Sequence, residues 1–215
     1  MDDMTAWLLI AASAVLLAAY EAWAVWVGAR QPERVARSRH ARMRVDWVRA
    51  LARQPGFEIV AVQTLRNSLM SATIAASTAA LALMGSMSLA APRLAQGLDA
   101  AHPLAGLTPR TALEICLMLV LFASYVCSAM AMRFFNHAGF VMSMPAGAAE
   151  REPLMPMAED YVERAGLLYS WGLRCFLAVA PLVAGIVSPL AMLPMTVVLL
   201  VVLRFFDRPA KPAAG

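Results

Sequence analysis

The stretch AVQTLRNSLMSATIAASTAA, residues 61–80, decides how the rest of the chain is organised. Its polar beginning contains Gln63, Arg66 and Asn67 and leads directly into an apolar helical run. Charged and amide side chains are costly at the entrance to a membrane unless they are paired or used. Small residues dominate the remainder of the run, and they let a second helix backbone come close. The stretch therefore predicts a membrane helix that packs closely against another helix or lines a narrow pathway.

The composition of the whole chain indicates the same class of protein. Its 215 residues are 61% hydrophobic and 15% charged, whereas soluble domains carry about 25% charged residues. Several apolar runs reach the roughly 18–20 residues that cross a bilayer as a helix. We therefore expect an all-α fold, a multi-span transmembrane helical bundle of four or five spans in one domain. The spans are expected at about residues 5–28, 62–90, 112–133, 164–186 and 190–206.

A strongly basic segment separates the first two spans. Nine of the 17 arginines lie in residues 30–66, where apolar side chains recur among them. This pattern predicts a basic amphipathic helix along the membrane surface at about residues 33–53. The side chains expected to contact lipid headgroups are Arg37, Arg42, Arg44, Trp47 and Arg49. Because the charge is concentrated in one segment and not spread over a folded face, we expect no nucleic-acid partner.

The distribution of basic residues predicts the orientation of the chain in a membrane. With five spans and the N-terminus outside, the inner segments carry fifteen basic residues and the outer loop carries two. A single crossing by residues 175–206 would divide them twelve to five, which is a weaker asymmetry. We therefore expect a multi-pass protein of the bacterial inner membrane with the basic segment 29–66 in the cytoplasm. Because the last run is short and contains Pro194, a re-entrant hairpin remains the alternative for it.

Polar side chains in or beside the spans are the candidate functional residues. On the second span, Asn67, Ser71 and Thr78 recur on one face, which either packs against a helix or lines a pathway. Glu21 is either an interfacial acid paired with a loop arginine or an acid that faces a cavity. The other candidates lie at or near the inner face: Gln63, Arg66, Arg133, Asn136, His137 and Arg174. Together they would form a cationic vestibule that attracts anions, or the arginines would reach lipid phosphates.

The sequence contains no motif that indicates catalysis. It has no phosphate-binding glycine loop, HExxH motif, CxxC pair or Gly-x-Ser-x-Gly elbow. Its three histidines lie in three separate segments, and its three cysteines lie in apolar runs. A buried cysteine usually serves as a small hydrophobic side chain. We therefore expect no catalytic residue, no metal site and no cofactor, and we expect that the protein is not an enzyme.

Four motifs stand out along the chain. They are Arg44-x-x-Trp47-Val48, AVQTLRNSLMSAT with Ser77-Thr78, Arg133-x-x-Asn136-His137-x-x-Phe140, and Tyr169-Ser170-x-Gly172-Leu173-Arg174. Together they resemble an uncharacterised family of bacterial and plant membrane proteins, catalogued as domain of unknown function 599. The resemblance covers most of the chain and implies a multi-span helical protein. It marks a set of polar positions that should be tested: Gln63, Arg66, Asn67, Asn136, His137 and Arg174. It implies no activity, because none is known for the family.

These features lead to two main functional hypotheses. The first is an oligomeric channel or transporter-like protein, because the chain is small and combines small-residue helix faces with intramembrane polar groups. The second is a non-catalytic accessory or scaffold subunit that binds lipid or a partner membrane protein. Membrane lipids are expected partners in both, and the first requires a homo-oligomer. A membrane enzyme or cofactor carrier that uses His137 with a metal or haem is the third alternative.

Overall fold

The computed structural model of the chain describes residues 2–31, 36–98 and 107–208. Across these ranges the chain forms helices and no strand, which confirms the predicted all-α fold class. The helices are α1 (Asp3–Arg30), α2 (Ala36–Ala52), α3 (Glu58–Leu98), α4 (Pro109–Met142), α5 (Met155–Leu177), α6 (Val179–Val187) and α7 (Pro189–Phe206). A short 3₁₀ turn, Glu152–Leu154, precedes α5.

Five helical segments in these ranges are long and apolar enough to cross a membrane, which suggests a multi-pass membrane protein. They are Asp3–Arg30, Glu58–Ala95, Pro109–Met142, Glu152–Val187 and Pro189–Phe206. α5 and α6 belong to one segment, because only Ala178 separates them. α3 continues through Pro92, and α4 continues through Asn136 and His137, so both helices extend beyond the ends expected for their spans.

α4 lies at the centre of the bundle, because α3 and α5 both pack along it. Eight of its buried side chains are spaced alternately by four and three residues, which keeps one stripe of the helix against its neighbours. They are Leu117, Leu121, Ser124, Ser128, Ala131, Phe135, Ala138 and Met142. α3 buries mostly small side chains: Ala61, Leu65, Ala72, Ala76, Ala79 and Ala90. The alanines of the stretch 61–80 therefore form the close-packing face of α3.

α3 is longer than a bilayer requires. Its 41 residues extend about 60 Å at 1.5 Å per residue, which is about twice the hydrocarbon thickness of a membrane. The start of α3, the end of α4 and the start of α5 pack with α2 around a hydrophobic core. Members of this core include Val48, Leu65, Phe135, Met142 and Val162. α2 contributes Val48 to this core and also buries Ala36 and Ala41. The position of α2 along a membrane surface stays a prediction.

The last helices form a hairpin. Ser188 has an extended backbone (φ −153°, ψ 117°) that separates α6 from α7. Pro189 begins α7, where a proline is tolerated because the first turn leaves its N–H groups unpaired. Gly185 lies so close to Leu113 and Met192 that an added Cβ would lie 3.1 Å from each side chain. α7 then packs against α1, so the first and last helices are neighbours in the bundle.

The helices alternate in direction between two ends of the bundle. The starts of α1 and α4 and the α6–α7 junction surround a cavity of about 320 Å³ at one end. The other end, which we call the basic end, contains α2, the ends of α1, α4 and α7, and the starts of α3 and α5. There Glu58 accepts a hydrogen bond from the backbone N–H of Ala146 (2.9 Å) and faces the buried Arg151. This arrangement places most of the arginines at one end.

Candidate functional site

A cluster of four polar side chains joins α1, α5 and α7 near the basic end. Arg174 of α5 donates to Glu21 of α1 (Nη1 to Oε1, 2.6 Å) and to Asp207, which follows α7. The Tyr20 hydroxyl donates to the second oxygen of Asp207 at 2.7 Å. The side chains of Arg174 and Asp207 are each 10% exposed. We call Tyr20, Glu21, Arg174 and Asp207 the ion cluster.

Local structure positions each member of the ion cluster. Tyr20 and Glu21 lie two to three turns before α1 ends at Arg30. Asp207 caps the C-terminus of α7, where its N–H donates to the carbonyl of Leu203 at 2.9 Å. The Asp207 carbonyl in turn accepts a hydrogen bond from the backbone N–H of Ala36, the first residue of α2, at 3.2 Å. One residue therefore links α7, α2 and the buried arginine of α5.

Arg37 lies beside the ion cluster without joining it by an ion pair. Its guanidinium stacks over the Trp171 ring, with 4.7 Å from Cζ to the ring centroid. Its Nη1 is buried and makes no hydrogen bond, and neither does Oε2 of Glu21. Burial, followed by repulsion from Arg174, lowers the pKa of the Arg37 guanidinium. Arg37 is therefore a cation whose hydrogen-bonding capacity is only partly used within the described residues.

Two cavities flank the ion cluster, and Asp207 lines both. The α1–α7 cavity has a volume of about 540 Å³. Its lining consists of Trp23, Trp26, Val27, Arg30, Gln31, Arg204, Asp207 and Arg208. Arg30 stacks over Trp26 and Arg204 stacks over Trp23, each with 4.6 Å between Cζ and the ring centroid. The α2–α5–α7 cavity has a volume of about 450 Å³ and is lined by Arg37, His40 and apolar side chains of α5 and α7.

The structure divides the predicted vestibule residues between separate places. Glu21 pairs with Arg174, which is an arginine of a span and not of a loop. Arg66 and Asn136 line a cavity of about 370 Å³ between α3 and α4. The His137 ring lies 5.6 Å from the Tyr161 ring, between centroids.

The remaining polar candidates lie mainly on the outside of the bundle. Gln63, Asn67 and Arg133 are exposed. Ser71 and Thr78 are exposed too, and their hydroxyls donate to the carbonyls of Asn67 (3.1 Å) and Ile74 (2.8 Å). At 100° per residue, Asn67, Ser71 and Thr78 share a side of α3 that lies roughly 120° around the helix from its buried alanines. A pathway along this face would therefore have to be completed by a second molecule.

The expected headgroup-binding residues of α2 differ in their surroundings. Arg44 lies flat against α5, where a Cβ added to Gly166 would be 2.1 Å from its Cζ. Burial lowers the pKa of the Arg44 guanidinium, and Glu163 opposes this shift. Arg49 is exposed and donates to Glu159 at 2.8 Å. Trp47 packs against the hydrophobic core, while Arg42 is exposed.

Sequence reasoning did not identify Tyr20, Asp207 or Trp171 as site residues. Asp207 could have been predicted from Arg174. An arginine inside an apolar run is expected to be buried, and a buried charge needs acidic partners. Acids are few near the basic ends of α1 and α7, and Glu21 and Asp207 are among them. Among the residues with described positions, no group of three or more His, Cys, Asp or Glu side chains could hold a metal ion.

Comparisons with known proteins give a family but no relative of known function. A family model described as a protein of unknown function, DUF599, matches residues 8–212. No curated protein matches the chain, and no solved structure matches it.

Proposed function

The protein belongs to the DUF599 family of proteins of unknown function, and we propose that it is a non-catalytic membrane protein that binds anionic lipid headgroups at its basic end. One observation carries the proposal: the α1–α7 cavity holds Arg30, Arg204 and Arg208. Within the described residues none of the three forms an ion pair. The acid in the lining, Asp207, is already engaged by Tyr20 and Arg174. An anion in this cavity would supply the missing counter-charge.

The geometry of the α1–α7 cavity suits a phosphate group in particular. A guanidinium presents a planar fork of N–H donors that matches phosphate oxygens. Stacking on tryptophan contributes about 0.5–1 kcal/mol at an exposed site and restricts the guanidinium to one orientation. Arg30 and Arg204 are both held in this way. Tryptophan side chains also favour the headgroup level of a bilayer, and α1 and α7 both end here.

The proposal includes the predicted topology and role. With the N-terminus outside, the basic end lies on the cytoplasmic side of a bacterial inner membrane, as the positive-inside tendency favours. Basic residues at that surface interact with anionic lipids, each contributing about 1 kcal/mol. A small protein that binds anionic lipid there would act as an accessory or scaffold subunit, alone or with a partner membrane protein.

The test measures how short-chain lipids change the thermal stability of the protein in a neutral detergent. A ligand that binds only the folded state stabilises it by about 2.7 kcal/mol at a hundred times its dissociation constant. We expect phosphatidylglycerol to raise Tm more than phosphatidylcholine does. The variant Arg30→Gln with Arg204→Gln should lose this preference, whereas Arg164→Gln, which removes an exposed arginine of α5, should keep it. Equal shifts by both lipids in the native protein would refute the proposal.

The exposed face of α3 favours a second candidate, the oligomeric channel or transporter-like protein. Within the described residues, the side chains of Gln63, Arg66 and Asn67 make no hydrogen bond or ion pair. Ser71 and Thr78 continue the side of Asn67 deeper into an apolar helix, whereas Arg66 lies roughly 100° around α3 from Asn67 and lines the cavity between α3 and α4. Because polar groups in a membrane favour partners, copies of the chain joined at these faces would bring the polar groups together and could enclose a pathway.

The second candidate is tested by solute flux into liposomes that contain the purified protein. Arg66→Ala and Asn67→Ala should each abolish a flux that the native protein shows. Ser88→Ala, which removes a hydroxyl of α3 that donates to its own helix at 2.9 Å, is the matched control and should retain the flux. Unchanged flux in both Arg66→Ala and Asn67→Ala would refute this candidate.

A further inference from the structure

The α2–α5–α7 cavity is built differently from the α1–α7 cavity. Most of its lining is apolar and comes from Ala36, Leu173, Phe176, Leu177, Leu203 and Phe206. Its polar lining is formed by Arg37, His40, Ser170, Arg174 and Asp207. Leu173, Leu177 and Phe206 are substantially exposed, at 39%, 39% and 67%. The cavity therefore combines an open apolar surface on two span helices with a cationic group contributed by α2.

Arg37 is the group in this cavity with an unfilled hydrogen-bond donor, although Glu21 and Asp207 of the ion cluster attract its charge. Arg174 and Asp207 are joined to each other and to the other members of the ion cluster. Arg37 has the Trp171 ring beneath it, but its Nη1 makes no hydrogen bond. A guanidinium carries five N–H donors, and a buried donor without an acceptor destabilises the folded state. An anionic group in the cavity would supply the acceptor that Nη1 of Arg37 lacks.

We propose that the α2–α5–α7 cavity binds a single-chain amphiphile with an anionic head, either the carboxylate of a fatty acid or the phosphate of a lysophospholipid. The head lies at Arg37 and His40, which α2 places at the polar side of the cavity. The chain lies along the apolar walls of α5 and α7, which are continuous with the bilayer-facing surfaces of these spans. The site shares no arginine with the α1–α7 cavity and stands independently of the function proposed above.

Trp171 provides a direct reporter, because it stacks against Arg37 at this site. The experiment uses the full chain with the four other tryptophans (Trp7, Trp23, Trp26 and Trp47) changed to phenylalanine. Titration with stearate brominated next to its carboxylate should quench Trp171 fluorescence with saturation, because bromine quenches on contact and the head lies at Arg37, which stacks on Trp171. Arg37→Gln should raise the half-quenching concentration about tenfold or more, the effect of losing a hydrogen bond to a charged group. Arg37→Lys should raise it less, and Arg49→Gln, on the same helix but outside the cavity, should leave it unchanged.

Competition with the brominated probe identifies the anionic head of the ligand and tests whether an apolar chain is required. The head is assigned from the concentrations that displace the brominated probe by half: a lower value for stearate than for lysophosphatidate assigns a carboxylate head, and a lower value for lysophosphatidate assigns a phosphate head. Displacement by inorganic phosphate or acetate at equal concentration would overturn the proposal, since no chain would then be required. Equal quenching by a neutral brominated monoglyceride, or unchanged quenching in Arg37→Gln, would overturn it too. In a variant that keeps only Trp23 and Trp26, quenching by brominated phosphatidylglycerol tests the α1–α7 cavity separately.

Discussion

Replacing Arg174 by methionine should be among the most destabilising single substitutions in this protein. The side chain is 10% exposed, and it bridges Glu21 and Asp207, which are 26% and 10% exposed. Methionine has a similar length but leaves both carboxylates without their shared cation. Breaking a buried ion pair by removing one partner costs about 3–5 kcal/mol. We expect Arg174→Met to lower the free energy of unfolding by this amount.

The assay is reversible unfolding by sodium dodecyl sulfate in mixed micelles, followed by far-ultraviolet circular dichroism. Arg164→Met is the matched control, since Arg164 also lies on α5 and pairs with Asp160 at 2.8 Å. That pair is exposed, and exposed ion pairs contribute about 0–1 kcal/mol. Comparing the two variants therefore separates the loss of a buried charge from the general loss of one arginine.

The triple variant Glu21→Gln, Arg174→Met, Asp207→Asn completes the test. It removes all three charges of the ion cluster, so neither carboxylate remains buried without Arg174. Replacing a buried ionic group by hydrophobic residues of similar volume is often close to neutral, and Gln and Asn keep the shapes of the acids they replace. The triple variant should therefore regain most of the stability that Arg174→Met loses. A loss below about 1 kcal/mol in Arg174→Met, or a triple variant less stable than the single variant, would refute the role assigned to the ion cluster.

Three further predictions concern the packing of α5; the first two are measured as stability in the same assay and the third by proteolysis. Gly172→Val should cost about 1–3 kcal/mol through overpacking, because a Cβ there would lie 2.7 Å from Ser128 Oγ and 3.3 Å from the Ser124 carbonyl oxygen. Gly139→Val has open space around it and should cost little, since the helix propensity of valine is no worse than that of glycine. Equal costs of the two substitutions would contradict this reading. Ser124→Ala should cost about 1 kcal/mol, because its hydroxyl donates to the Gly172 carbonyl at 2.9 Å; an unchanged stability would count against that bond. Gly166→Ala should displace the guanidinium of Arg44 and increase proteolysis within α2; unchanged cleavage would show that Arg44 moves without loosening the helix.

The all-α class and the helical segments followed from the sequence because apolar run length is a local property. The face of α3 that packs against its neighbours could not be predicted from the sequence. Alanine and hydroxyl-bearing residues are both small, so the sequence of α3 alone permits either face to approach a neighbour. The stripe of α4 from Leu117 to Met142 selects the alanine face, and Asn67, Ser71 and Thr78 are left outside.

The ion cluster could be predicted only in part. Arg174 stood out because a charge inside an apolar run needs compensation. Its partners Glu21 and Asp207 are separated from it by 153 and 33 residues in sequence. They meet because α1 and α7 pack side by side, which is a tertiary property that helical periodicity does not contain. The contact of Arg44 with Gly166 was missed for the same reason, since it depends on how α2 crosses α5.

Native mass spectrometry of the protein released from lipid nanodiscs tests the central claim of anionic headgroup binding most directly. The nanodiscs contain phosphatidylglycerol and phosphatidylcholine in equal amounts. We predict that the native protein retains phosphatidylglycerol preferentially, and that the variant Arg30→Gln with Arg204→Gln retains less of it than Arg164→Gln does. Retention without headgroup preference, or equal retention by the two variants, would contradict the assignment of the α1–α7 cavity.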